Sequence, residues 1–281
     1  MNWVNKWILF LLVFSMGTTG FSGVRITVKE TRYSPYEAPE PETTVVHIQG
    51  QQLRMDFEED NGAFSYIYIQ PRNIVYLIDH QRKAFTVVTE EALQQIAGQM
   101  KSAMEEMQQK MQEQLQLLSP DQREMIEKMM KEQMPQSGHP PRPEVTLKKV
   151  ASGEKIGKWI CDRWEIYKNG EKTEDLWTTD ASQLLMGKQI IQLLQGFSGF
   201  WITGFKEFMG DEPGIEWFSP DFQKKLNGFP VASITYENGQ KSAHWELLSI
   251  QQQSFPTSYF QAPHQYQQVP LEDLWQMKDS P

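Results

Sequence analysis

Apolar and polar residues alternate along most of the chain, with one long interruption. In "QLRMDFE", Leu53, Met55 and Phe57 fall on one face of a strand and charged residues fall on the other. Residues 24–88 contain six short stretches that suit strands, separated by turns rich in Gly, Asn and Pro. These turns are too short to hold crossover helices, so the sequence predicts antiparallel neighbours. In "FSYIYIQ" and "IVYLID" both faces are apolar, which predicts a sheet that is covered on both sides at that point.

Residues 89–118 interrupt the alternation with a helical period. Thr89 is placed to cap the N-terminus of this helix. At about 1.5 Å per residue the helix would be roughly 45 Å long, enough to cross a large sheet. A second helix is predicted up to Met134, so that 89–134 forms a helical insertion, followed by a proline-rich linker at 135–143. One face of the long helix carries an unbroken apolar stripe, made of Leu93, Ile96, Met100, Met104, Met107, Met111, Leu115 and Leu118.

Strand-like alternation returns after the linker. Asn169-Gly170 and Asn238-Gly239 are strong signals for tight hairpins, and about five further strands are predicted around them. Asp180 and Ser219 are each placed to cap a shorter helix. Residues 23–281 therefore predict a single α+β domain, with an antiparallel sheet of about eleven strands covered by the long Met-rich helix and the shorter ones.

The first 22 residues have the layout of a secretory signal peptide. Lys6 precedes an apolar run at 7–16, and small residues follow. The run is about half the length that spans a bilayer as a helix, so no stable membrane span is predicted once the signal is removed. An uncleaved N-terminal anchor is the alternative. No cysteine follows the run to carry a lipid, so we expect a periplasmic or secreted protein.

Net charge, the single cysteine and the motifs that are absent exclude several classes of function. The 36 acidic and 27 basic side chains give a net charge of −9, which argues against nucleic acid as a partner. Cys161 is the single cysteine, either a small buried residue or a reactive or intermolecular thiol. The sequence carries no nucleophile elbow, zinc-protease motif or phosphate loop. It therefore predicts a protein that is not an enzyme, with no catalytic residue, cofactor or metal site assigned.

Four phrases resemble a known exported bacterial family. "HIQGQQLRMDF" and "NIVYLIDHQRKAFTVV" are similar to the front of the family catalogued as domain of unknown function 4412. "WICDRWEIYKNGEKTEDLW" and "NGFPVASITYENG" resemble its second half. The family is similar in turn to the periplasmic lipoprotein carriers of the LolA and LolB type. This resemblance implies a curved half-barrel whose concave side is covered by helices and holds acyl chains.

The methionine stripe has two chemical interpretations. Thioethers suit Cu(I), so the stripe could be a periplasmic copper site. The stripe also contains Leu and Ile, which cannot bind a metal, and this favours an apolar flank acting as a lid over an apolar hollow. We therefore predict a hydrophobic small molecule or lipid as the main ligand. A module that contacts an envelope protein and carries no lipid is the remaining alternative. The predicted lid and hollow residues are Met55, Phe57, Ile96, Met100, Met104, Met107, Met111, Trp164, Phe200 and Trp201.

Overall fold

The structure is a computed structural model, which describes residues 23–34, 38–59, 62–116, 144–205, 216–226, 228–271 and 273. The predicted signal peptide, the second helix and the proline-rich linker lie outside these residues.

Twelve strands form one large open sheet in the order β12-β6-β5-β4-β3-β2-β1-β11-β10-β9-β8-β7. The two edge strands are not paired with each other, which fits a half-barrel rather than a closed barrel. Neighbours are antiparallel as predicted, and the exception is β12, which runs parallel to β6. The strands are β1 Gly23–Arg32, β2 Glu40–Gln49, β3 Gln52–Glu59, β4 Gly62–Ile69, β5 Ile74–Asp79, β6 Ala84–Thr89, β7 Val145–Ile156, β8 Trp159–Lys168, β9 Glu171–Thr179, β10 Phe229–Glu237, β11 Gln240–Gln253 and β12 Gln267–Gln268.

Three α-helices are described: α1 Glu90–Gln116, α2 Gly187–Phe205 and α3 Pro220–Leu226. Single 3-10 turns lie at Gln70–Arg72, Ala181–Gln183, Glu216–Phe218 and Thr257–Phe260. The predicted caps of α1 and α3 are confirmed, because Thr89 Oγ1 accepts from the Ala92 amide at 3.2 Å and Ser219 Oγ accepts from the Phe222 amide at 3.3 Å.

The prediction that Asp180 opens a helix is wrong. Its carboxylate accepts from the Ser182 amide at 2.7 Å and caps only a 3-10 turn. Met186 then adopts a φ of 56°, a left-handed conformation that breaks the helical path. At Gly187 a Cβ would lie 2.1 Å from the Ala181 carbonyl oxygen, so α2 starts where only glycine fits.

Both predicted hairpin turns have the expected backbone. Asn169 and Gly170 have φ values of 51° and 84°, and Asn238 and Gly239 have 52° and 74°. Two consecutive positive φ angles are what a two-residue hairpin of matching twist requires.

Strands β2–β6 are covered on both faces along part of their length. The helix-covered face packs against α1 and α2 in the main apolar core. The opposite face, called here the outer face, packs against the segment that follows β11 in a second cluster. Double coverage explains why β4 and β5 are apolar on both faces, as their sequences predicted.

Helix α1 is anchored at its beginning. Leu93 is fully buried, Ile96 is 8% exposed, and the helix contacts α2 and β6. From residue 98 to residue 110 every side chain that the structure describes is exposed, including Met107 at 58%. Burial of the predicted flank is therefore found at its first turns and not at Met107, while the side chains of Met100, Met104 and Met111 lie outside the description.

Candidate functional site

Side chains on the helix-covered face of β1–β5 form rows that run across the strands. The first row is completely sealed, and none of its members is more than 1% exposed. Neighbours in this row are register partners in adjacent strands. The row consists of Val24, Ile48, Leu53, Tyr68 and Val75.

The next two rows are open in their middle. Val46, Met55 and Tyr66 follow one another in register across β2, β3 and β4, and all three are only half-buried. Phe57 and Phe64 are paired one step further along and are also half-buried. We call these five side chains the apolar strip. Since strands lie about 4.8 Å apart, the strip is roughly 10 Å wide.

The strip is bounded by buried groups. Ile26 and Leu77, at the two ends of its first row, are 4% and 6% exposed. Asp79 stands beside Phe64 in register and is 1% exposed. Its carboxylate accepts from the Arg82 amide at 2.9 Å and pairs with the Arg82 guanidinium at 3.4 Å, so its charge is balanced within its own turn. The first row of the strip is thus bounded by buried residues at both ends, whereas the second is bounded by one at β5 only, since Val28 and Thr44 are also partly exposed.

Aromatic residues of α2 cover the sealed row next to the strip. The Tyr68 ring lies 5.5 Å from the ring of Phe197 and 6.0 Å from that of Phe200, which is 2% exposed. Trp201 packs edge-on against Phe200 at 5.4 Å and is half-buried. The helix can lie this close because Gly196 faces the Tyr68 hydroxyl, where a Cβ would be only 3.0 Å away.

The structure brings some of the predicted site residues together and separates others. Met55 and Phe57 belong to the strip, and Phe200 and Trp201 lie on α2 over the same core. Trp164 belongs to a different cluster, under α3, where its indole N–H donates to Thr178 at 3.0 Å. The copper interpretation depends on methionine side chains that the structure leaves undescribed.

Two open grooves lie on the described surface. One, of about 610 Å³, lies between the start of α1, strand β6 and residues 268–271, and it includes Ile96. The other, of about 480 Å³, lies between α2 and α3 and is lined largely by polar residues, among them Asp180 and Lys188. Neither groove includes a residue of the apolar strip.

A polar network on the outer face brings Ser65, His80 and Asp56 together. Ser65 Oγ lies 2.7 Å from His80 Nε2 and donates to Asp56 at 2.5 Å, and it also accepts from Arg54 at 3.0 Å. The Ser65 side chain is completely buried. Its proton is held by a carboxylate and not by the histidine, so the geometry is that of a structural network rather than of a nucleophile with its base.

The sequence did not single out Val46, Phe64 or Tyr66 as site residues. Alternation assigns each of them to a face of its own strand, but only the register between strands places them beside Met55.

The sequence allowed Cys161 to be either a small buried residue or a reactive or intermolecular thiol. It is 1% exposed, and burial raises the pKa of its thiol to about 11, so the thiol is protonated and shielded at neutral pH.

A family model described as a domain of unknown function, DUF4412, matches residues 74–266. The chain belongs to this family. The match covers β5 to the segment after β11, so the DUF4412 region includes both covered faces of the sheet. No curated protein sequence matches the chain.

Two solved structures are similar in outline to this DUF4412 protein. An uncharacterized conserved protein from Thermus thermophilus superposes with a TM-score of 0.41 at 6% identity, over 89% of this chain and 90% of that one. PNGF-II superposes with a TM-score of 0.39 at 8% identity, over 91% of this chain but only 32% of PNGF-II. Among the helices that the structure describes, none is long and apolar enough to cross a membrane.

Proposed function

We propose that this DUF4412 protein is exported, has no catalytic activity, and binds a hydrophobic ligand such as a lipid or acyl chain against the apolar strip. The observation that carries the proposal is the change in burial along one sheet face. Leu53 is fully buried, whereas Met55, two residues later on the same face, is half-buried. Exposure of an apolar surface to water is unfavourable, and a bound apolar ligand would remove that cost by covering the strip.

The size of the strip suits a single chain of methylene groups. Transfer of one methylene from water to an apolar surface contributes about 0.8 kcal/mol. Eight such groups would contribute on the order of 6 kcal/mol, before the losses of translational and conformational freedom. Met55 adds adaptability, because an unbranched thioether repacks easily around different apolar partners.

Native mass spectrometry of the protein purified from the cell envelope tests this proposal. We expect a bound species whose mass fits a lipid or fatty acid and which is removed by organic extraction. Rebinding is then measured with a fluorescent fatty acid, dansyl-undecanoic acid, added to the extracted protein.

Substitutions locate the binding surface. Met55→Glu places a charge in the strip and is expected to weaken dansyl-undecanoate binding by about tenfold or more, since a buried charge without a partner is costly. Leu248→Glu is the matched control, because Leu248 is 45% exposed on β11 and lies outside the strip. Equal affinities of the two variants, or a ligand-free envelope preparation, would contradict the proposal.

Contact with an envelope protein through α1 is the second candidate. It is favoured by the 58% exposure of Met107 on a helix whose described side chains beyond residue 97 are otherwise polar or small and exposed. Met107→Glu separates the candidates. It would leave fatty-acid binding unchanged and weaken capture of the partner if α1 contacts a protein, and it would weaken fatty-acid binding if α1 is a lid.

A further inference from the structure

Two aliphatic side chains are exposed at one end of the sheet. Ile160, the second residue of β8, is 50% exposed, and Leu185, in the segment between β9 and α2, is 43% exposed. The Gln183 side chain fixes this segment to β8, because its amide group accepts from the Ile160 backbone N–H and donates to the Ile160 carbonyl oxygen, each at 3.3 Å. The neighbours Trp159 and Leu184 are buried. The exposed aliphatic groups are therefore held on a well-packed base.

This end of the molecule is basic, although the chain as a whole is acidic. Lys155 on β7 is the register partner of Ile160, Lys158 lies in the turn between β7 and β8, and Lys188 is the second residue of α2. Five exposed lysines and two aspartates lie in the segments that form this end, which gives a formal charge of +3 against −9 for the whole chain. We call these segments, residues 155–160, 180–188 and 220–226, the basic end.

The groove of about 480 Å³ between α2 and α3 belongs to the basic end. Lys188 on α2 and Lys224 on α3 both line it, together with the amide side chain of Gln195. Asp180 also lines it, and the carboxylate of Asp180 accepts from the Ser182 amide at 2.7 Å. Ammonium and amide groups are hydrogen-bond donors that suit the oxygens of a phosphate. The groove therefore has the chemistry to hold a phosphate head group.

The opposite end of the sheet carries charge of the other sign. Strands β1 and β8 run in the same direction, so the end of β1 lies far from the basic end. Glu30, Glu40 and Glu42 lie there, and Arg32 among them pairs with Glu30 at 2.8 Å. Ten residues of strand separate the two ends by about 30 Å, which exceeds the Debye length of about 8 Å in physiological salt. An anionic surface at the basic end is therefore screened from these carboxylates.

We propose that the basic end docks on a bilayer that contains anionic phospholipid. Ile160 and Leu185 enter the interface, the lysines lie over the head groups, and Lys188 and Lys224 bind the phosphate of one lipid in the groove. Exposed aliphatic residues within a ring of lysines match a surface where acyl chains lie beneath anionic phosphates. A stable protein partner would need about 800 Å² of contact surface, whereas a reversible membrane contact needs a few inserted side chains and cations. The proposal does not depend on ligand binding at the apolar strip.

Cosedimentation of the full chain with lipid vesicles tests the docking. One set of vesicles consists of phosphatidylcholine, and the other of equal parts of phosphatidylcholine and phosphatidylglycerol. We expect binding to be about tenfold or more stronger to the anionic vesicles and to weaken as salt is added, because each lysine contributes on the order of fivefold. The comparison removes any contribution of the N-terminal apolar run, which does not depend on head-group charge. Equal binding to the two sets overturns the proposal.

Lysine substitutions locate the surface. Lys155→Gln with Lys188→Gln should weaken binding to the anionic vesicles by roughly ten- to thirtyfold. Lys83→Gln with Lys241→Gln is the matched control, because it removes the same charge from two exposed lysines at the opposite end of the sheet. An equal loss in the control pair would mean that overall charge is responsible, and it overturns the proposal.

Two further measurements separate membrane docking from its alternatives. Leu185→Gln should weaken vesicle binding severalfold and leave the urea unfolding curve unchanged, since the side chain is exposed, whereas a purely electrostatic contact would not respond. Inorganic phosphate is the soluble competitor. If phosphate binds the wild type and not Lys188→Gln with Lys224→Gln, while neither vesicle set binds, the groove takes a soluble phosphate and membrane docking is overturned.

Discussion

Strand β3 makes hydrogen bonds to a later segment of the chain on one side and carries a partly exposed apolar strip on the other. Arg54 and Asp56 point to the outer face, where both form hydrogen bonds with Tyr259 of residues 254–271, called here the C-terminal strap. Met55 and Phe57, between and after them, point to the helix-covered face and stay half-buried. All four side chains are thus partly buried, and the two faces differ in their contacts: hydrogen bonds hold the polar pair, whereas the apolar pair lies beside the sealed row.

The difference indicates a division of roles between the two faces. On the outer face, Phe260 and the polar network fix the strap to the sheet and contribute to folding. On the helix-covered face, the sealed row around Leu53 lies directly beside the partly exposed strip. A rigid, well-packed neighbour of this kind would support the binding surface that we propose at the strip.

The largest expected loss of stability follows from a substitution on the outer face. Phe260→Ala should lower the free energy of unfolding by about 3–5 kcal/mol, because it leaves a cavity in a fully buried aromatic site. Urea unfolding at pH 7.5 measures the loss. Leu248→Ala is the control and should change stability by less than about 0.5 kcal/mol, since this side chain is largely exposed. Similar values for the two variants would show that the strap does not seal the outer face.

Removal of the Asp56 charge is expected to have an intermediate effect on stability. Asp56→Asn should lower the free energy of unfolding by about 1–3 kcal/mol, because Arg54, Ser65 and Tyr259 all donate to this carboxylate. Burial opposes ionisation of Asp56, but the hydrogen bonds from Ser65 and Arg54 outweigh it and hold its pKa below the ordinary value.

The pH dependence of this variant has a defined sign. A carboxyl group whose pKa is depressed on folding stabilises the protein above about pH 4 and loses that contribution as pH falls through the folded value. The difference between wild type and Asp56→Asn should therefore be largest near neutral pH and should shrink on acidification towards pH 3. Urea unfolding at a series of pH values measures it. A constant difference would mean that the charge of Asp56 is not responsible.

Much of the architecture could be predicted from local sequence signals. The six strands before α1, the two Asn-Gly hairpins and the caps at Thr89 and Ser219 all depend on neighbours within a few residues, and all are confirmed. The twelfth strand was missed, because a two-residue parallel pair at the sheet edge leaves no pattern in the sequence.

The sites were less accessible to sequence analysis, because they depend on contacts between distant parts of the chain. His47, Asp56 and Tyr259 are separated by up to 212 residues in their hydrogen bonds. The outer-face network could therefore not be assembled from spacing. The helical stripe through Met107 has the period of a buried face, but period cannot show what lies opposite, and Met107 is exposed.

The smallest loss of stability is expected for a substitution in the apolar strip. A comparison with the sealed row on the same strand tests the strip most directly. Leu53 and Met55 share one face of β3, yet only Leu53 is fully buried. Leu53→Ala should cost about 2–5 kcal/mol, and Met55→Ala should cost about 1 kcal/mol or less because its site is already partly hydrated. For dansyl-undecanoate binding the order should be reversed, with the larger loss at Met55→Ala. If Met55→Ala destabilises the ligand-free protein as much as Leu53→Ala does, then the strip is ordinary core and the two faces of β3 do not differ in the way proposed.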